Sequence, residues 1–523
     1  MQLHQTYPTL QGVAELAREN ADCRRVPVMR ELMADDLTTI EVTRRLRGAS
    51  HHVFLLESAE PDQRSGRYSF LGFDPTLEVT CLDGELRVRT GVEPGDPAAP
   101  TVRTRHVDHP GPYLRELIAA HRSPRVEGLP PFSGGLVGFF SYDYLKYAEP
   151  TLRRDDLGHA DFPDLDLMLF DQVVVFDSYR HRVQLIAGVP VNAPAPAGAD
   201  ADPQAGEAAL AEAYRRAEER LDRMERVVRG QANAPMSFEP LRLRGELAPR
   251  FSRERYGEMV EAAKEHILAG DVFQVVLSNP IEAPADGSLF DAYRLLRCAN
   301  PSPYMFYFTS DDVEVAGASP ETLARLEDGR LLTYPLAGTR PRGATPEQDE
   351  ALERELLRDA KELAEHNMLV DLGRNDLGRI AQVGSVRVER LHQVLRFSHV
   401  MHIGSTVSAR IDPRYDAVDA IDSILPAGTL SGAPKIRACQ IIGDLEGSKR
   451  GIYGGAIGYL DFAGNMDTCI GIRLAYKKGE RVCVQSGAGI VADSDPSREF
   501  AECQNKARPV VEALLAAEGG IDR

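Results

Sequence analysis

The stretch at 485–506, QSGAGIVADSDPSREFAECQNK, constrains the fold more than any other part of this sequence. A strand-like alternation at 481–485 leads into Gly-Ala-Gly at 487–489, where small residues allow positive φ and a close approach of the backbone to a ligand. Asp495 followed by Pro496 is a helix-start signature. The sequence therefore predicts a strand, a glycine turn and a helix in immediate succession.

Pairs of glutamates spaced three residues apart occur in two predicted helices. Glu499 and Glu502 share one face of the first helix, and Glu362 and Glu365 recur in a long helical pattern at 349–370. A single pair of this kind usually lies on a solvent-exposed face of a helix. Two helices that each offer such a pair can hold one hard cation such as Mg²⁺, which prefers oxygen ligands and keeps several waters. This spacing predicts a Mg²⁺ site with open positions for an acidic substrate.

Composition limits the classes of protein to which this chain can belong. The 523 residues carry a formal net charge of −18. This negative charge does not favour binding to nucleic acid, and it repels anionic membrane surfaces. The seven cysteines form no CxxC motif, and their odd number argues against a disulfide framework. No stretch approaches the apolar length of a membrane span. We expect a soluble, cytoplasmic protein without nucleic-acid or membrane partners.

One segment late in the first half of the chain differs in composition from its surroundings. The segment at 193–206, APAPAGADADPQAG, cannot bury enough apolar surface to pack, so we expect an exposed, flexible excursion. A charged amphipathic helix at 207–229 follows. We place a boundary after that helix, which divides the chain into an N-terminal lobe at 1–245 and a larger C-terminal lobe at 246–523.

Shorter patterns predict strands in both lobes. The runs at 53–58 and 67–75 read as two strands, and the run at 165–178, LDLMLFDQVVVFDS, reads as a buried strand pair. A further strand at 272–277 presents Gln274.

Two histidines and one glycine-rich turn are further candidates for chemistry. His399 and His402 lie three residues apart, and on the residues alone a general acid/base and a satisfied core histidine remain equally open. The turn at 426–435, PAGTLSGAPK, precedes a helix and is able to receive an anion at the helix N-terminus, but it lacks the spacing of a Walker loop.

Several of these motifs together carry a family resemblance. The segments LAGTRPRG, AEHNMLVDLGRNDLGRI, PAGTLSGAPK, YGGAIGY, DTCIGIR and QSGAGIVADSDPSREFAECQNKA resemble the chorismate-utilising enzymes, and among them anthranilate synthase component I. The similarity is dense at 251–509 and looser in the first 250 residues. It implies a two-lobed α+β fold with two packed, largely antiparallel sheets surrounded by helices.

The resemblance also implies roles for individual residues. Mg²⁺ is expected at Glu365 and Glu502, with Glu362 and Glu499 as outer acids that act through water. The chorismate-binding residues that it implies are Gly338, Thr339, Tyr453, Arg473, Gly487, Ala488 and Gly489. The catalytic residues that it implies are Glu321, as the acid that protonates the departing 4-hydroxyl, and His402 with Thr429 close by, for the second step. His399 does not match a catalytic position, so we expect a structural role for it.

Two positions distinguish this chain from related enzymes. Isochorismate and salicylate synthases carry a water-activating lysine where this sequence has Gln274, and glutamine cannot act as a base. Aminodeoxychorismate synthases typically carry a lysine where this sequence has Ala337. We therefore expect ammonia as the nucleophile, with addition at ring carbon 2.

The resemblance further implies a partner and an inhibitor. Nothing in the chain resembles a glutaminase, so a separate glutamine amidotransferase subunit is expected to supply ammonia, within a heterotetramer. Feedback inhibition by L-tryptophan is also implied, at a pocket formed by Glu57, Ser58, Pro303, Tyr304, Met305 and Cys469. On the residues alone, Glu57 and Ser58 read as an ordinary strand end.

The expected function is that of an anthranilate synthase large subunit in tryptophan biosynthesis, a Mg²⁺-dependent lyase. Two alternatives stay open. One is an aminodeoxyisochorismate synthase of a secondary pathway, and the other is a non-catalytic regulator that binds chorismate or tryptophan. The intact acids, Glu321 and His402 argue against the regulator, because a pure binder has no use for an acid that assists a leaving group.

Overall fold

The structure, a computed structural model, describes residues 3–59, 66–91, 100–154, 156–158, 161–192, 203–231, 238–396 and 400–521. His399 and 193–202, which make up most of the predicted excursion, lie outside the described residues. Within these ranges the α-helices are α1 (Leu10–Glu19), α2 (Thr39–Ala49), α3 (Gly111–Ala120), α4 (Leu145–Ala148), α5 (Pro203–Val228), α6 (Arg253–Leu268), α7 (Phe290–Ala299), α8 (Pro346–Leu356), α9 (Ala360–Gly378), α10 (Ala417–Ile424), α11 (Lys435–Glu446) and α12 (Pro496–Ala517).

The strands are short and numerous, as expected for antiparallel sheets. They are β1 (Thr6–Tyr7), β2 (Arg25–Met33), β3 (Val53–Glu57), β4 (Tyr68–Phe73), β5 (Leu77–Leu82), β6 (Glu85–Thr90), β7 (Thr101–His106), β8 (Gly135–Phe140), β9 (Leu165–Phe170), β10 (Gln172–Asp177), β11 (Arg182–Pro190), β12 (Arg242–Leu243), β13 (Ala248–Pro249), β14 (Gln274–Asp286), β15 (Tyr304–Thr309), β16 (Val313–Ser319), β17 (Thr322–Glu327), β18 (Arg330–Thr333), β19 (Leu336–Pro341), β20 (Arg387–Arg396), β21 (Val400–Arg410), β22 (Gly432–Ala433), β23 (Ala456–Asp461), β24 (Met466–Ile470), β25 (Leu474–Lys478) and β26 (Arg481–Ile490).

Two sheets form the centre of the molecule. The first has 14 strands in the order β1-β2-β11-β10-β4-β3-β15-β16-β25-β26-β14-β12, with β13 and β22 also paired to β14. The second has 12 strands in the order β19-β21-β18-β17-β24-β23-β8-β9-β5-β6-β7, with β20 also paired to β21. Each sheet combines strands from before and after residue 245, and the division into lobes at that residue stays a prediction.

The two sheets pack face to face, with helices on both outer faces. Alternate residues of β3 show the arrangement, because Phe54 belongs to the hydrophobic cluster between the sheets while Val53 and Leu55 belong to the cluster beneath α1, α2, α5, α7 and α12. A third cluster joins the second sheet to α3, α9 and α10. The predicted α+β class with two packed antiparallel sheets surrounded by helices is confirmed. Among the described helices, none is long and apolar enough to cross a membrane.

Three local predictions differ from the structure. The helical pattern at 349–370 is divided into two helices, α8 and α9. Asp359 interrupts the helix because it is the N-cap of α9 and accepts hydrogen bonds from the amides of Lys361 and Glu362.

The run at 165–178 does form two buried strands, but they belong to different sheets. β9 pairs with β5 and β8 in the second sheet, whereas β10 pairs with β4 and β11 in the first. The two buried strands are therefore confirmed, but they do not pair with each other.

The third difference concerns the predicted glycine turn at 487–489. These residues lie inside β26 in register with β14, where Gly487 pairs with Ser278 and Gly489 pairs with Val276. Neither glycine is among those with positive φ. The prediction of a strand and of a helix capped by Asp495 is confirmed, whereas the turn was wrong.

Candidate active site

Glu321 is held in the short connection between β16 and β17. The Thr429 hydroxyl donates a hydrogen bond to Glu321 Oε1 at 3.0 Å, across 108 residues of sequence. The residue as a whole keeps some exposure, but protein surrounds its carboxyl group, and this burial raises the pKa of Glu321 to about 7. Near neutral pH a large fraction of this carboxyl therefore carries a proton that it can deliver.

The glycines of β26 allow two polar side chains to approach the backbone. A Cβ atom at Gly487 would lie 2.6 Å from the Leu277 carbonyl oxygen and 2.8 Å from Tyr453 Oη, so position 487 has no room for a side chain. A Cβ atom at Gly489 would overlap the Gln274 amide. The structure thus brings Gly487 and Gly489 together with Tyr453 and Gln274, although no positive φ is involved.

Arg473 follows β24 and adopts a left-handed backbone conformation with φ 54°. Such a φ is uncommon for a residue other than glycine and is typical of positions that the surrounding structure holds in place. Its Nη1 donates to the Lys506 carbonyl oxygen at 2.7 Å, and its own carbonyl accepts from the Ala318 amide at 3.0 Å. These contacts tie the guanidinium to α12 and the backbone of Arg473 to the first sheet.

His402 faces the predicted substrate-binding residues Gly338 and Thr339. Its Nδ1 lies 3.0 Å from the Gly338 carbonyl oxygen and 3.1 Å from Thr339 Oγ1. A carbonyl oxygen only accepts hydrogen bonds, so Nδ1 carries the proton and Nε2 is left with a lone pair. Burial lowers the pKa of His402, which favours this neutral form.

The four predicted metal-binding glutamates lie on α9 and α12. Burial raises the pKa of Glu365 and of Glu499, and the neighbouring carboxylates of Glu362 and Glu502 raise them further. Lys506 partly offsets this charge. Its Nζ lies 2.7 Å from Glu502 Oε1 and donates to the Gly487 carbonyl oxygen at 3.1 Å.

The donor chemistry of these glutamates fits Mg²⁺, although their arrangement is more open than that of a bound site. All four donors are carboxylates, and a divalent cation would counteract the burial and the neighbouring negative charge that raise the pKa of Glu365 and of Glu499. In the described ranges, however, the group of three or more ligand-bearing side chains whose ligand atoms lie within 4.8 Å of one another is found elsewhere. The Mg²⁺ site between α9 and α12 stays a prediction.

Gln274 completes the edge of this acidic region. Its Nε2 lies 3.5 Å from Glu365 Oε1, and its Oε1 is buried without a hydrogen-bond partner among the described residues. A buried acceptor without a partner is costly unless a donor arrives. The amide of Gln274 therefore presents an unused acceptor beside the acids of α9.

The structure separates the predicted tryptophan-binding residues into two groups. Glu57 pairs with Met305 in register between β3 and β15, and Met305 belongs to the cluster under the outer helices. Tyr304 and Cys469 belong to the cluster between the sheets. Ser58 and Pro303, which flank these strands, are half-buried. Neighbouring residues of a strand point to opposite faces, which the sequence pattern alone did not resolve.

The Glu57 carboxylate accepts four hydrogen bonds from neighbouring side chains. It accepts hydrogen bonds from Tyr293 and Thr39, each at 2.7 Å, and two from Arg297, each at 3.0 Å. The charge of Arg297 balances that of Glu57. A ligand amine at this carboxylate would have to replace Arg297.

Lys506 and Arg340 have roles in the site that were not predicted from the sequence. Lys506 sits one helical turn after Glu502, and this i, i+4 spacing was the available signal. Arg340 contacts Glu362 at 3.5 Å and Asp359 at 2.8 Å, which links β19 to the start of α9. Both cations hold the acidic helices against the strands that carry the predicted substrate-binding residues.

Comparisons with known proteins extend over nearly the whole chain. A family model described as chorismate binding enzyme matches residues 52–512. An anthranilate synthase component 1 from Pseudomonas aeruginosa is 42% identical over 507 residues, which cover 95% of this chain and 97% of that protein. One from Acetivibrio thermocellus is 40% identical over 521 residues, which cover 98% and 99%. The crystal structure of anthranilate synthase component I from Streptococcus pneumoniae TIGR4 is 35% identical, with a TM-score of 0.67, and the match covers 92% of this chain and 98% of that one.

Proposed function

Because the chain belongs to the chorismate binding enzyme family, and within it to the anthranilate synthase component 1 proteins, we propose that it converts chorismate and ammonia into anthranilate and pyruvate. One observation carries this proposal. Glu321 has a buried carboxyl group with a pKa of about 7 that accepts a hydrogen bond from the Thr429 hydroxyl. Loss of the 4-hydroxyl of chorismate needs an acid of this kind, because hydroxide is a poor leaving group.

The residues around Glu321 have the other roles in the proposed reaction. Arg473 pairs with one carboxylate of the substrate, and the Tyr453 hydroxyl orients the same end beside Gly487. Ammonia adds at ring carbon 2 while Glu321 protonates the departing 4-hydroxyl, which leaves as water. The new ammonium group loses a proton to solvent. The neutral Nε2 of His402 then accepts the proton from carbon 2 as the enolpyruvyl group leaves as the enolate of pyruvate, and that enolate takes up a proton to give pyruvate.

The metal-binding residues that we propose are Glu365 and Glu502, with Glu362 and Glu499 acting through water. Bound Mg²⁺ would make the ring carboxylate of chorismate a better electron sink. A cation at Glu502 would displace Lys506 from that carboxylate, and the second contact of Lys506, with the Gly487 carbonyl oxygen, would keep its ammonium nearby.

Gln274 supports ammonia over water as the nucleophile. A glutamine amide neither accepts nor releases a proton near neutral pH, so it cannot activate water. Its buried Oε1 has no hydrogen-bond partner among the described residues, and it can accept a hydrogen bond from an N–H group. Ammonia carries N–H groups that can donate this hydrogen bond to Gln274.

Product analysis of the purified chain tests the proposed reaction. With chorismate, Mg²⁺ and ammonium, we expect fluorescent anthranilate and pyruvate in equal amounts. Isochorismate or salicylate as the product would overturn the proposal, and the aminated intermediate without pyruvate would support the secondary-pathway alternative instead.

We also propose that a separate glutaminase subunit supplies ammonia in the cell. The names of the relatives, component 1, support the existence of a second component. The purified chain is expected to turn over chorismate with ammonium and not with glutamine, until that subunit is added. Glutamine-dependent formation of anthranilate by the single chain, measured under the same conditions, would contradict this.

Inhibition by L-tryptophan is proposed at the junction of β3, β15 and β24. Tyr304 provides a direct connection from there to the catalytic acid, since its hydroxyl lies 3.0 Å from Thr322 Oγ1, and Thr322 follows Glu321. Cys469 is the partner of Thr322 in the pairing of β17 with β24. A ligand that shifts Tyr304 therefore acts on the strand that holds Glu321.

Replacing Ser58 by phenylalanine tests this pocket. Ser58 is half-buried next to Glu57, so a large ring there is expected to fill the space for the ligand while Glu321 and the acids of α9 stay in place. We expect turnover within a few-fold of the parent and loss of inhibition by tryptophan. The control is Ser178→Phe, at an exposed turn after β10, which should remain inhibited. A Ser58→Phe enzyme as sensitive as the parent would refute the assignment.

A further inference from the structure

A second cluster of ligand-bearing side chains lies away from the candidate active site. The ligand atoms of His52, Glu78 and Asp311 all lie within 4.8 Å of one another. His52 precedes β3, Glu78 lies in β5, and Asp311 lies in the turn between β15 and β16. This turn is at the opposite end of β16 from Glu321, roughly 25 Å away along the strand. The cluster therefore joins the two sheets at a point remote from the proposed chemistry.

The imidazole of His52 is the most informative member of the cluster. Its side chain is 4% exposed, and its buried Nε2 has no hydrogen-bond partner among the described residues. Nε2 points between the two carboxylates, at 3.5 Å from Asp311 Oδ1 and 3.9 Å from Glu78 Oε2. A neutral imidazole offers a lone pair at this nitrogen to a metal ion. A buried polar atom left in this way is costly without a partner.

The distances suit a small divalent ion. Ligand atoms that bind Zn²⁺ at about 2.1 Å in a tetrahedron are about 3.4 Å apart, close to the separations of Nε2 from the two carboxylate oxygens. The Asp311 amide donates to Glu78 Oε1 at 3.0 Å, which leaves Glu78 Oε2 directed toward His52. One imidazole and two carboxylates favour a transition metal over Mg²⁺, which prefers oxygen ligands alone.

A cation already lies beside the carboxylates of this cluster. Arg89 supplies a counter-charge through a close contact with Asp311 Oδ1, the oxygen that also faces His52. Its side chain is 22% exposed, so it can swing toward solvent. A metal ion and the Arg89 guanidinium would therefore compete for the same carboxylate oxygen.

Access from solvent is available on two sides. A cavity of about 550 Å³ is lined by Asp311 together with Arg47 and His51, and a second cavity of about 410 Å³ is lined by His52 and Arg89. We propose that His52, Glu78 and Asp311 form a binding site for a divalent transition-metal ion such as Zn²⁺, which displaces Arg89 and fastens the two sheets together. Water completes the coordination from the cavities.

Cobalt binding tests the site, because four-coordinate Co²⁺ bound by nitrogen and oxygen absorbs strongly in the visible region, whereas sites with only oxygen ligands absorb weakly. The full chain is freed of metal, saturated with Mg²⁺ to fill sites that prefer oxygen ligands, and titrated with Co²⁺. We expect about one equivalent with strong visible bands, and Zn²⁺ in place of Co²⁺ should raise the melting temperature measured by circular dichroism.

Four variants decide the outcome. His52→Gln and Glu78→Gln should each lose the bands and the Zn²⁺-dependent rise in melting temperature, and far-UV circular dichroism shows which of them stays folded. Arg89→Met should bind Co²⁺ more tightly than the parent, because it removes the competing cation. His266→Gln is the matched control, since His266 is also paired to an aspartate, Asp271, but lies outside the cluster. Unchanged bands in a folded His52→Gln or Glu78→Gln protein would overturn the proposal. So would the absence of bands from both the parent and Arg89→Met.

Discussion

Replacing Glu321 by glutamine is expected to lower anthranilate formation by about 10²- to 10⁴-fold, the usual contribution of a general acid. Glutamine has the same shape and still accepts the hydrogen bond from Thr429, so the loss should be chemical rather than structural. Binding of chorismate, measured by equilibrium dialysis, should change little. The control is Glu327→Gln on the neighbouring strand β17, which should keep parental turnover.

The same carboxyl predicts a pH dependence. Burial raises the pKa of Glu321 to about 7, so the protonated form that delivers the proton dominates below this pH and is lost as the pH rises through it. We expect kcat to fall on the alkaline side of about 7. In Glu321→Gln this limb of the profile should be absent from the residual activity. An unchanged limb in the variant would assign the titration to another group.

Replacing Glu365 or Glu502 by glutamine is expected to have the second large effect, on the dependence on Mg²⁺. Loss of residues that support a metal through water typically costs 10- to 100-fold in affinity or activity, so loss of a direct ligand should cost at least about 100-fold. The half-saturating Mg²⁺ concentration for turnover measures this. Glu362→Gln and Glu499→Gln should show the smaller, 10- to 100-fold loss.

An exposed acid on the same helix provides the control for these variants. Glu512 lies on α12, exposed to solvent, and Glu512→Gln should leave the Mg²⁺ dependence unchanged. Full turnover by Glu365→Gln or Glu502→Gln without added Mg²⁺ would contradict the proposed metal-binding residues.

Local signals allowed the sequence to predict much of the fold. Asp495 and Pro496 correctly predicted the start of α12, because an N-cap acts within one turn. The N-cap at Asp359 was missed, because the charged residues on both sides of it keep a helical period. The resemblance to known enzymes supplied the two-sheet architecture, which local patterns do not determine.

Features that depend on distant partners were less predictable. β9 and β10 are consecutive and buried, but their sheet membership depends on strands far away in sequence. Gly487 and Gly489 read as a turn, whereas their pairing with β14 keeps them extended. The bond between Thr429 and Glu321 spans 108 residues, so only the folded chain reveals it. Candidate residues were therefore easier to predict than their contacts.

The measurement that tests the central claim most directly is the isotopic content of the product. The purified chain is supplied with chorismate, Mg²⁺, heavy-nitrogen ammonium and heavy-oxygen water, and the products are analysed by mass spectrometry. The proposed reaction predicts anthranilate that carries heavy nitrogen, accompanied by pyruvate. An isochorismate product that carries oxygen from water, with no labelled nitrogen, would contradict it.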